Sequence, residues 1–324
     1  MKALFTKPIG AGALAALLLF LPLASPILTP IQLIVPLPIM LVSLIRGVQA
    51  GGVAALVLMG MTLIGNSSAG LAALMAPISV FLFLAGFPLL AGWLGRSGWS
   101  LNQCGAAGYL VGALLLTAGY LLFGLMGWSL SPQIEAHLGG IRDTVMATLR
   151  TAQGVDAQSL ALTQQGLDHF INLMALLFPG LFMTVVLVVQ VSNLYLARRL
   201  LQRWDASPFH PTDGLESLRV PELWVWPLIV AIGVGMVAGG GLGAFGLNLA
   251  VFMAAPYFLQ GMAVIQALFR SYRIGPMIRG FFYAMLLLVE SLILVIALVG
   301  LFDTWFNFRG RMPRMDPSED TNER

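Results

Sequence analysis

Charged residues are scarce in this chain of 324 residues: they make up 10% of it, against 58% hydrophobic residues. Soluble domains carry about 25% charged residues, so this composition excludes an ordinary soluble fold. Asp, Glu, Lys and Arg are absent from five long intervals and are represented in a sixth only by Glu290. In order, these are 8–45, 47–95, 97–134, 169–197, 223–269 and 280–302. A spanning helix needs about 20 apolar residues, so the six intervals hold two, two, one, one, two and one helices.

These intervals predict an all-α, polytopic membrane protein with eight or nine transmembrane helices. In a bilayer only helices or a closed barrel satisfy the backbone, and the apolar runs lack the alternation of barrel strands. The predicted segments are five membrane helices in 1–127, an amphipathic helical hairpin outside the bilayer in 128–169, a sixth membrane helix in 170–203, a cytoplasmic loop in 204–221, three more membrane helices in 222–305 and a polar tail in 306–324.

Reactive side chains are also scarce. A lone cysteine, Cys104, excludes an internal disulfide and a cysteine-cluster metal site. All three histidines, His137, His169 and His210, fall outside the predicted spans, and no HExxH, GxSxG or paired-acid motif occurs. We therefore expect no enzyme activity, no metal and no cofactor. The formal charge of +3 fits basic residues at cytoplasmic helix ends, and we expect no nucleic-acid binding.

Glu290 is the only acid deep inside an apolar run, the predicted helix 279–305. Rotation of about 100° per residue places it on one face with Arg279 and Tyr283. A carboxylic acid at the bilayer centre costs roughly 2.5–3.5 kcal/mol, so it normally faces protein or a cavity. Glu290 is then either a ligand, proton or coupling site, with Tyr283 beside it, or a protonated packing residue.

Uncharged amide side chains recur on two other predicted spans, 171–197 and 246–269. They are Asn172, Gln190 and Asn193 on the first, and Asn248, Gln260 and Gln266 on the second. The first three share one helical face, as do Asn248 and Gln266. Such a strip either joins helices through hydrogen bonds, each of which stabilises the pair by roughly 0.6 kcal/mol, or lines a cavity. All but Asn172 are ligand or coupling candidates.

Small residues four apart predict close helix packing at two places. The pairs are Ala11 with Ala15, Gly12 with Ala16, and Gly235 with Gly239. A glycine-rich turn over 239–243 is the other interpretation of the last pair. Pro36 and Pro38 predict a bend or partial unwinding in a short helix over 31–45.

Four motifs resemble one known family. They are PLPIMLVSLIRGVQAGG at 36–52, LRVPELWVW at 218–226, NLAVFMAAPYFLQGMAVI at 248–265 and GLFDTWFNFRGRM at 300–312. These are similar to the YybS-like family of uncharacterised bacterial membrane proteins, itself distantly similar to S-components of energy-coupling-factor transporters. The resemblance implies an S-component-like core of six helices plus three C-terminal ones. It also implies a bacterial cytoplasmic (inner) membrane location and a coupling subunit that docks on the small residues of the first helix.

The sequence thus favours an integral membrane protein that binds or transports a small molecule. The alternative is a non-catalytic scaffold of the bacterial envelope, with the hairpin 128–169 as its partner-binding element. In both cases the lipid bilayer is the first partner.

Overall fold

The computed structural model describes residues 7–65, 78, 81–126, 131–151, 156–210, 215–289 and 291–312. Over these ranges the chain is helical and contains no strand. Glu290 and the tail beyond Met312 lie outside them.

The described ranges contain twelve α-helices in chain order. They are α1 (Pro8–Phe20), α2 (Pro36–Arg46), α3 (Val48–Gly65), α4 (Gly86–Arg96), α5 (Leu101–Met126), α6 (Ser131–Thr151), α7 (Ala157–Arg203), α8 (Val225–Val237), α9 (Gly240–Ser271), α10 (Pro276–Leu288), α11 (Ser291–Phe306) and α12 (Phe308–Arg311). Tighter 3₁₀ turns precede α2 at Pro26–Ile34 and α8 at Glu222–Trp224, and a π-helical turn, Phe81–Ala85, precedes α4.

Five segments of the described chain are long and apolar enough to cross a membrane. They are Ile27–Arg46, Val48–Gly65, Leu101–Met126, Ala157–Arg203 and Gly240–Ser271. The pair α10 and α11 passes the same test when taken together, and three shorter apolar helices are Pro8–Leu23, Leu82–Arg96 and Glu222–Val237. The protein is therefore a polytopic helical membrane protein, and the part of the chain that the structure describes holds five or six candidate spans of full length. The predicted eight or nine spans would need the shorter apolar helices to cross as well.

The predicted continuous helix over 279–305 is wrong. Its first part ends at Leu288, Val289 is extended (φ −116°, ψ 92°), and α11 begins at Ser291 after a bend of 111°. Helical rotation relates side chains only within an unbroken helix. The face that Arg279 and Tyr283 share therefore does not continue into α11.

The second arm of the predicted hairpin belongs to α7, a single helix of 47 residues. Asp156 caps this helix, because its Oδ1 accepts the N–H of Ser159 at 2.9 Å. Hydrogen bonds from the Ser159 side chain and backbone lower the pKa of the Asp156 carboxyl. Arg142 of α6 donates to Asp168 of α7 at 2.9 Å, which holds α6 beside the first turns of α7.

The chain divides into two compact units, whose boundaries fall within α5, α7 and α9 and in the 3₁₀ turn before α8. Unit 1 comprises Met1–Val111, Val185–Glu222 and Ala255–Arg324, and unit 2 comprises Gly112–Thr184 and Leu223–Ala254.

Helix α2 is the centre of unit 1, since every residue from Pro36 to Leu44 is buried. Its sequence up to Arg46 is apolar except for Ser43, whose hydroxyl donates to the Ile39 carbonyl at 2.9 Å, as expected for a helix surrounded by others. One side packs in a core with α4, α5 and the last turns of α7, and the other packs with α1 and α3. The unwound stretch comes before Pro36, in the 3₁₀ segment Pro26–Ile34, because prolines fit the first turn of an α-helix.

The small residues of α1 lie against α3 of the same chain. Ala11, Gly12, Ala15 and Ala16 are all buried. A Cβ added to Gly12 would meet the Ala54 carbonyl and approach Val57 Cβ to 2.7 Å. The surface implied to dock a coupling subunit is therefore occupied within this chain.

The two glycines predicted to pack together, Gly235 and Gly239, have different roles in the structure. Gly235 packs closely on α9, since an added Cβ would lie 2.7 Å from Leu247 Cδ2. Gly239 lies in the short turn after α8 and has open space around it, and the next residue, Gly240, adopts φ +61°. Only a residue without a side chain takes that conformation readily.

We predict that Gly12→Ala destabilises the protein by about 1–3 kcal/mol, because the added methyl group has no room between α1 and α3. Gly60→Ala in α3, where an added Cβ meets nothing within 4 Å, is the matched control and should be neutral or stabilising. Thermal unfolding in detergent measures both. Equal melting temperatures for the two variants would contradict the packing described here.

Candidate functional site

Asn248 of α9 is bonded to the backbone of α7 in unit 2. Its Oδ1 accepts the N–H of Gly180 at 2.6 Å, and its Nδ2 donates to the carbonyls of Leu176 at 2.7 Å and Ala244 at 2.8 Å. Leu176 and Gly180 are i and i+4 partners in a regular helix, next to Pro179. The amide thus inserts into the hydrogen-bond ladder of α7 at a proline.

Every polar atom of Asn248 has a protein partner, and the residue has no exposed surface. Gly180 must be glycine here, since an added Cβ would lie 2.8 Å from Asn248 Cα. The structure therefore gives Asn248 a helix-joining position, which leaves it no group to offer a ligand.

Gln260 of α9 joins three parts of unit 1. Its Oε1 accepts the N–H of Val220 at 2.6 Å, and its Nε2 donates to the Gly300 carbonyl at 3.0 Å and Asp303 Oδ2 at 3.2 Å. It is 1% exposed. Gln260 thus fastens the segment before α8 to α11, again with its amide fully used.

An ion pair that the sequence did not reveal completes this cluster. Arg309 donates through Nε (3.0 Å) and Nη2 (2.7 Å) to Asp303 Oδ2, and the two side chains are 8% and 2% exposed. Six residues separate them, which does not bring side chains together in a straight helix. The contact is possible because Asn307 adopts φ +46° and reverses the chain between α11 and α12. Arg219 donates to Oδ1 of Asn307 at 3.0 Å. The motif at 300–312 therefore contains a buried ion pair, with Asn307 and Arg219 bonded beside it.

Gln190 and Asn193, one turn apart on α7, bond to the two irregular segments of unit 1. Gln190 Nε2 donates to the carbonyl of Phe83, in the π-turn, at 2.6 Å. Asn193 Nδ2 donates to the carbonyl of Leu33, in the 3₁₀ segment, at 2.7 Å. Both residues are almost fully buried, at 2% and 3% exposure.

Prolines explain why these two carbonyls need a side-chain donor. In a 3₁₀ turn a carbonyl bonds to the N–H three residues later, which for Leu33 is residue 36. In a π-turn it bonds to the N–H five residues later, which for Phe83 is residue 88. Both positions are proline, which has no N–H. An unbonded carbonyl in a bilayer costs several kcal/mol, so an amide on a neighbouring helix stabilises each turn.

This arrangement lies at membrane depth. Leu33, Phe83 and Gln190 each precede a basic helix end by thirteen residues, namely Arg46, Arg96 and Arg203. At 1.5 Å per residue that is about 20 Å, inside a hydrocarbon core of roughly 30 Å. The last turns of α2, α4 and α7 share one core, so these three ends lie on the same side.

The acceptor oxygens of these two side-chain amides have no hydrogen-bond donor in the described chain. Gln190 Oε1 and Asn193 Oδ1 are fully buried and have no hydrogen-bond partner within the part of the chain described. A buried acceptor without a donor costs about 1–3 kcal/mol, which a bound N–H or O–H group would recover. Gln190 and Asn193 thus combine a structural donor with an unused acceptor, which Asn248 and Gln260 do not.

The other ligand candidates predicted from the sequence do not form a comparable hydrogen-bonded pair, and one of them lies outside the described residues. Tyr283 packs edge-on against Phe269 and Phe282. Gln266 is half-buried on α9. Glu290 lies outside the described residues. Among those residues, no three His, Cys, Asp or Glu side chains gather where they could hold a metal ion.

Residues 13–304 match a family profile described as "Predicted membrane protein (DUF2232)". The chain belongs to this family. The match includes Gln190, Asn193, Gln260 and Asp303 and ends before Arg309. No curated protein and no solved structure matches the chain. Family and structure together establish a multi-pass membrane protein.

We predict that Gln190→Leu destabilises the protein by about 1–3 kcal/mol, because it removes the buried hydrogen bond from Gln190 Nε2 to the Phe83 carbonyl. Pro88→Ala restores a backbone N–H at the position that would bond this carbonyl. The double variant should therefore be more stable than the sum of the single changes predicts, with a coupling of about 0.5–1.5 kcal/mol in a double-mutant cycle. Additive effects on thermal unfolding would refute the proline explanation.

Arg309→Met should destabilise the protein by roughly 3–5 kcal/mol, because it leaves the buried Asp303 carboxylate uncompensated. Adding Asp303→Leu should restore much of that stability, since an apolar pair can replace a buried ion pair. Arg311→Met, at an exposed arginine on the same short helix, is the control. A loss in Arg311→Met as large as in Arg309→Met would argue against the ion pair.

Proposed function

We propose that this protein binds a small molecule at the level of the membrane interior and serves as a binding or transport protein of the bacterial cytoplasmic membrane. The supporting observation is the pair of buried acceptor oxygens on Gln190 and Asn193 that have no hydrogen-bond partner in the described chain, beside two apolar segments that lose regular α-helical structure. Transporters commonly place their substrate sites at broken helices near the bilayer midplane. The resemblance to the YybS-like family and to S-components favours the same function.

The chemistry of the site defines the ligand class. The two amide oxygens can accept hydrogen bonds from a ligand. The hydrogen bonds of Gln190 to Phe83 and of Asn193 to Leu33 involve no charged side chain. The ligand is therefore a small, neutral or weakly charged molecule with N–H or O–H donors, and the site assists binding without catalysis.

Access to the site needs the irregular segments to move. Both oxygens are sealed from solvent, so the ligand enters when the 3₁₀ segment Pro26–Ile34 or the π-turn Phe81–Ala85 shifts away from α7. Interruptions of this kind within helices often act as hinges or occur at functional sites.

The second candidate function, a scaffold, is favoured by α6. This helix has low hydropathy compared with the spans, yet Ile141 is 58% exposed and Val145 is exposed beside it. Two exposed apolar side chains one turn apart form a small apolar patch on this polar helix, and exposed apolar patches are contact surfaces for partner proteins. Stable capture of one envelope protein by the wild type, lost in Ile141→Ser but kept in Thr144→Ser, would favour the scaffold.

We predict that at least one donor-bearing molecule among vitamins and nucleobases raises the melting temperature of the purified protein. The Pro88→Ala/Gln190→Leu variant keeps the backbone bond but lacks the acceptor oxygen, so it should lose this shift. Pro88→Ala alone should keep it, as should Gln202→Leu near the end of α7. A shift that persists in the double variant would place the ligand elsewhere, and the lack of any shift would favour the scaffold.

A further inference from the structure

A second polar feature of unit 1 lies at the basic ends of α2 and α4, apart from the amide pair. A cavity of about 250 Å³ opens there between the end of α2, the start of α3 and the end of α4. Its lining includes Arg46, Gly47, Gln49, Trp93, Arg96 and Ser97. The volume is below the roughly 300–1,000 Å³ of pockets for drug-sized ligands, so the cavity suits a single small group.

The lining is strongly cationic. Two arginines contribute, and none of the lining residues is a carboxylate. A guanidinium has five N–H donors in a planar fork that matches phosphate oxygens. Arg96 uses Nη1 for the carbonyl of Ile45 at 2.9 Å, which fixes its guanidinium at the end of α2 and leaves further donors for an anion.

The start of α3 adds to this positive potential. Gly47, with φ +97°, ends α2 and lets the chain enter α3 at once, and the first backbone bond of α3 runs from Gly51 to Gly47. Val48 and Gln49 line the cavity and lie in the first turn of this 18-residue helix. The N–H groups of a first turn have no partner within the helix. Such N–H groups favour an anion.

The surroundings place this cavity at the surface of the membrane. Arg46 and Arg96 are exposed and follow directly on apolar helices, and Trp93 is 57% exposed at the rim. Tryptophan and arginine at the ends of spans lie at the level of the lipid headgroups. Basic pockets between membrane helices bind anionic headgroups.

We propose that the cavity bounded by Arg46, Trp93 and Arg96 is a binding site for a phosphate-bearing anionic group. Two sources share that chemistry: the headgroup of an anionic phospholipid, whose glycerol and acyl chains would lie against Trp93, and free phosphate from the adjoining aqueous phase. This site is independent of Gln190 and Asn193, and its test does not depend on the proposed function.

The test uses the full chain, purified in neutral detergent and titrated separately with short-chain phosphatidylglycerol, short-chain phosphatidylcholine and inorganic phosphate. Native mass spectrometry counts bound molecules, and thermal unfolding reports stabilisation. We expect one phosphatidylglycerol per chain, bound in preference to phosphatidylcholine and weakened by salt. Stabilisation by inorganic phosphate at low millimolar concentration would assign free phosphate as the source, and its absence together with lipid binding would assign the headgroup.

The decisive comparison is between two charge-matched double variants. Arg46→Gln/Arg96→Gln should weaken anion binding about 25-fold, roughly fivefold for each arginine. Arg199→Gln/Arg203→Gln removes the same charge from exposed arginines at the end of α7 and should leave binding unchanged. Because Arg96 also bonds to α2, Arg46→Gln alone is measured as well, and it should weaken binding about fivefold while the protein keeps its melting temperature.

Two outcomes would overturn the proposal. One is equal binding of phosphatidylglycerol and phosphatidylcholine by the wild type together with no stabilisation by inorganic phosphate. The other is an equal loss of anion binding in the two double variants, since that would mean that only overall charge attracts the anion.

Discussion

The structure depends on one constraint of the bilayer: a backbone carbonyl that lacks its N–H partner must find another donor inside the protein. Pro36 and Pro88 remove the N–H groups that would bond the carbonyls of Leu33 and Phe83. Asn193 and Gln190 supply the missing donors from α7 and so join the two irregular segments to one long helix. The same solution recurs at Asn248 and Gln260, whose amides bond to backbone groups of neighbouring helices. Amides are suited to this because one side chain carries both a donor and an acceptor.

The difference among these four amides separates structure from proposed function. Asn248 and Gln260 use both ends of the side chain on protein groups, whereas Gln190 and Asn193 use only the nitrogen. A packing role alone would be served as well by an amide whose oxygen also has a partner. Two unused acceptors on one face, held at the depth where the spans are interrupted, are what a binding site for hydrogen-bond donors requires. The cationic cavity at Arg46 and Arg96 lies about 20 Å away along the same helices, so the proposed ligand site and anion site occupy different depths.

The class of fold could be predicted from the sequence because bilayer thickness sets the length of apolar runs, and five of the described segments are long and apolar enough to cross a membrane. The amides could be identified as polar residues at membrane depth, but their roles could not, since these depend on which carbonyl each one meets. A signal was present at Pro36 and Pro88, whose missing N–H groups predict a need for donors nearby. The reversal at Asn307 that pairs Arg309 with Asp303 had no such signal, because a left-handed residue is set by tertiary contacts. The break after Leu288 was missed for a similar reason, since no proline or glycine marks it.

The most direct test is an experimental density map of the protein, purified from its native membrane into lipid nanodiscs, that resolves ordered water and small ligands. We expect a non-protein peak within about 3.2 Å of Gln190 Oε1 and Asn193 Oδ1, with the side-chain nitrogens still bonded to the Phe83 and Leu33 carbonyls. A protein N–H or O–H group bonded to each of the two oxygens would contradict it, because the amides would then be complete packing contacts like Asn248.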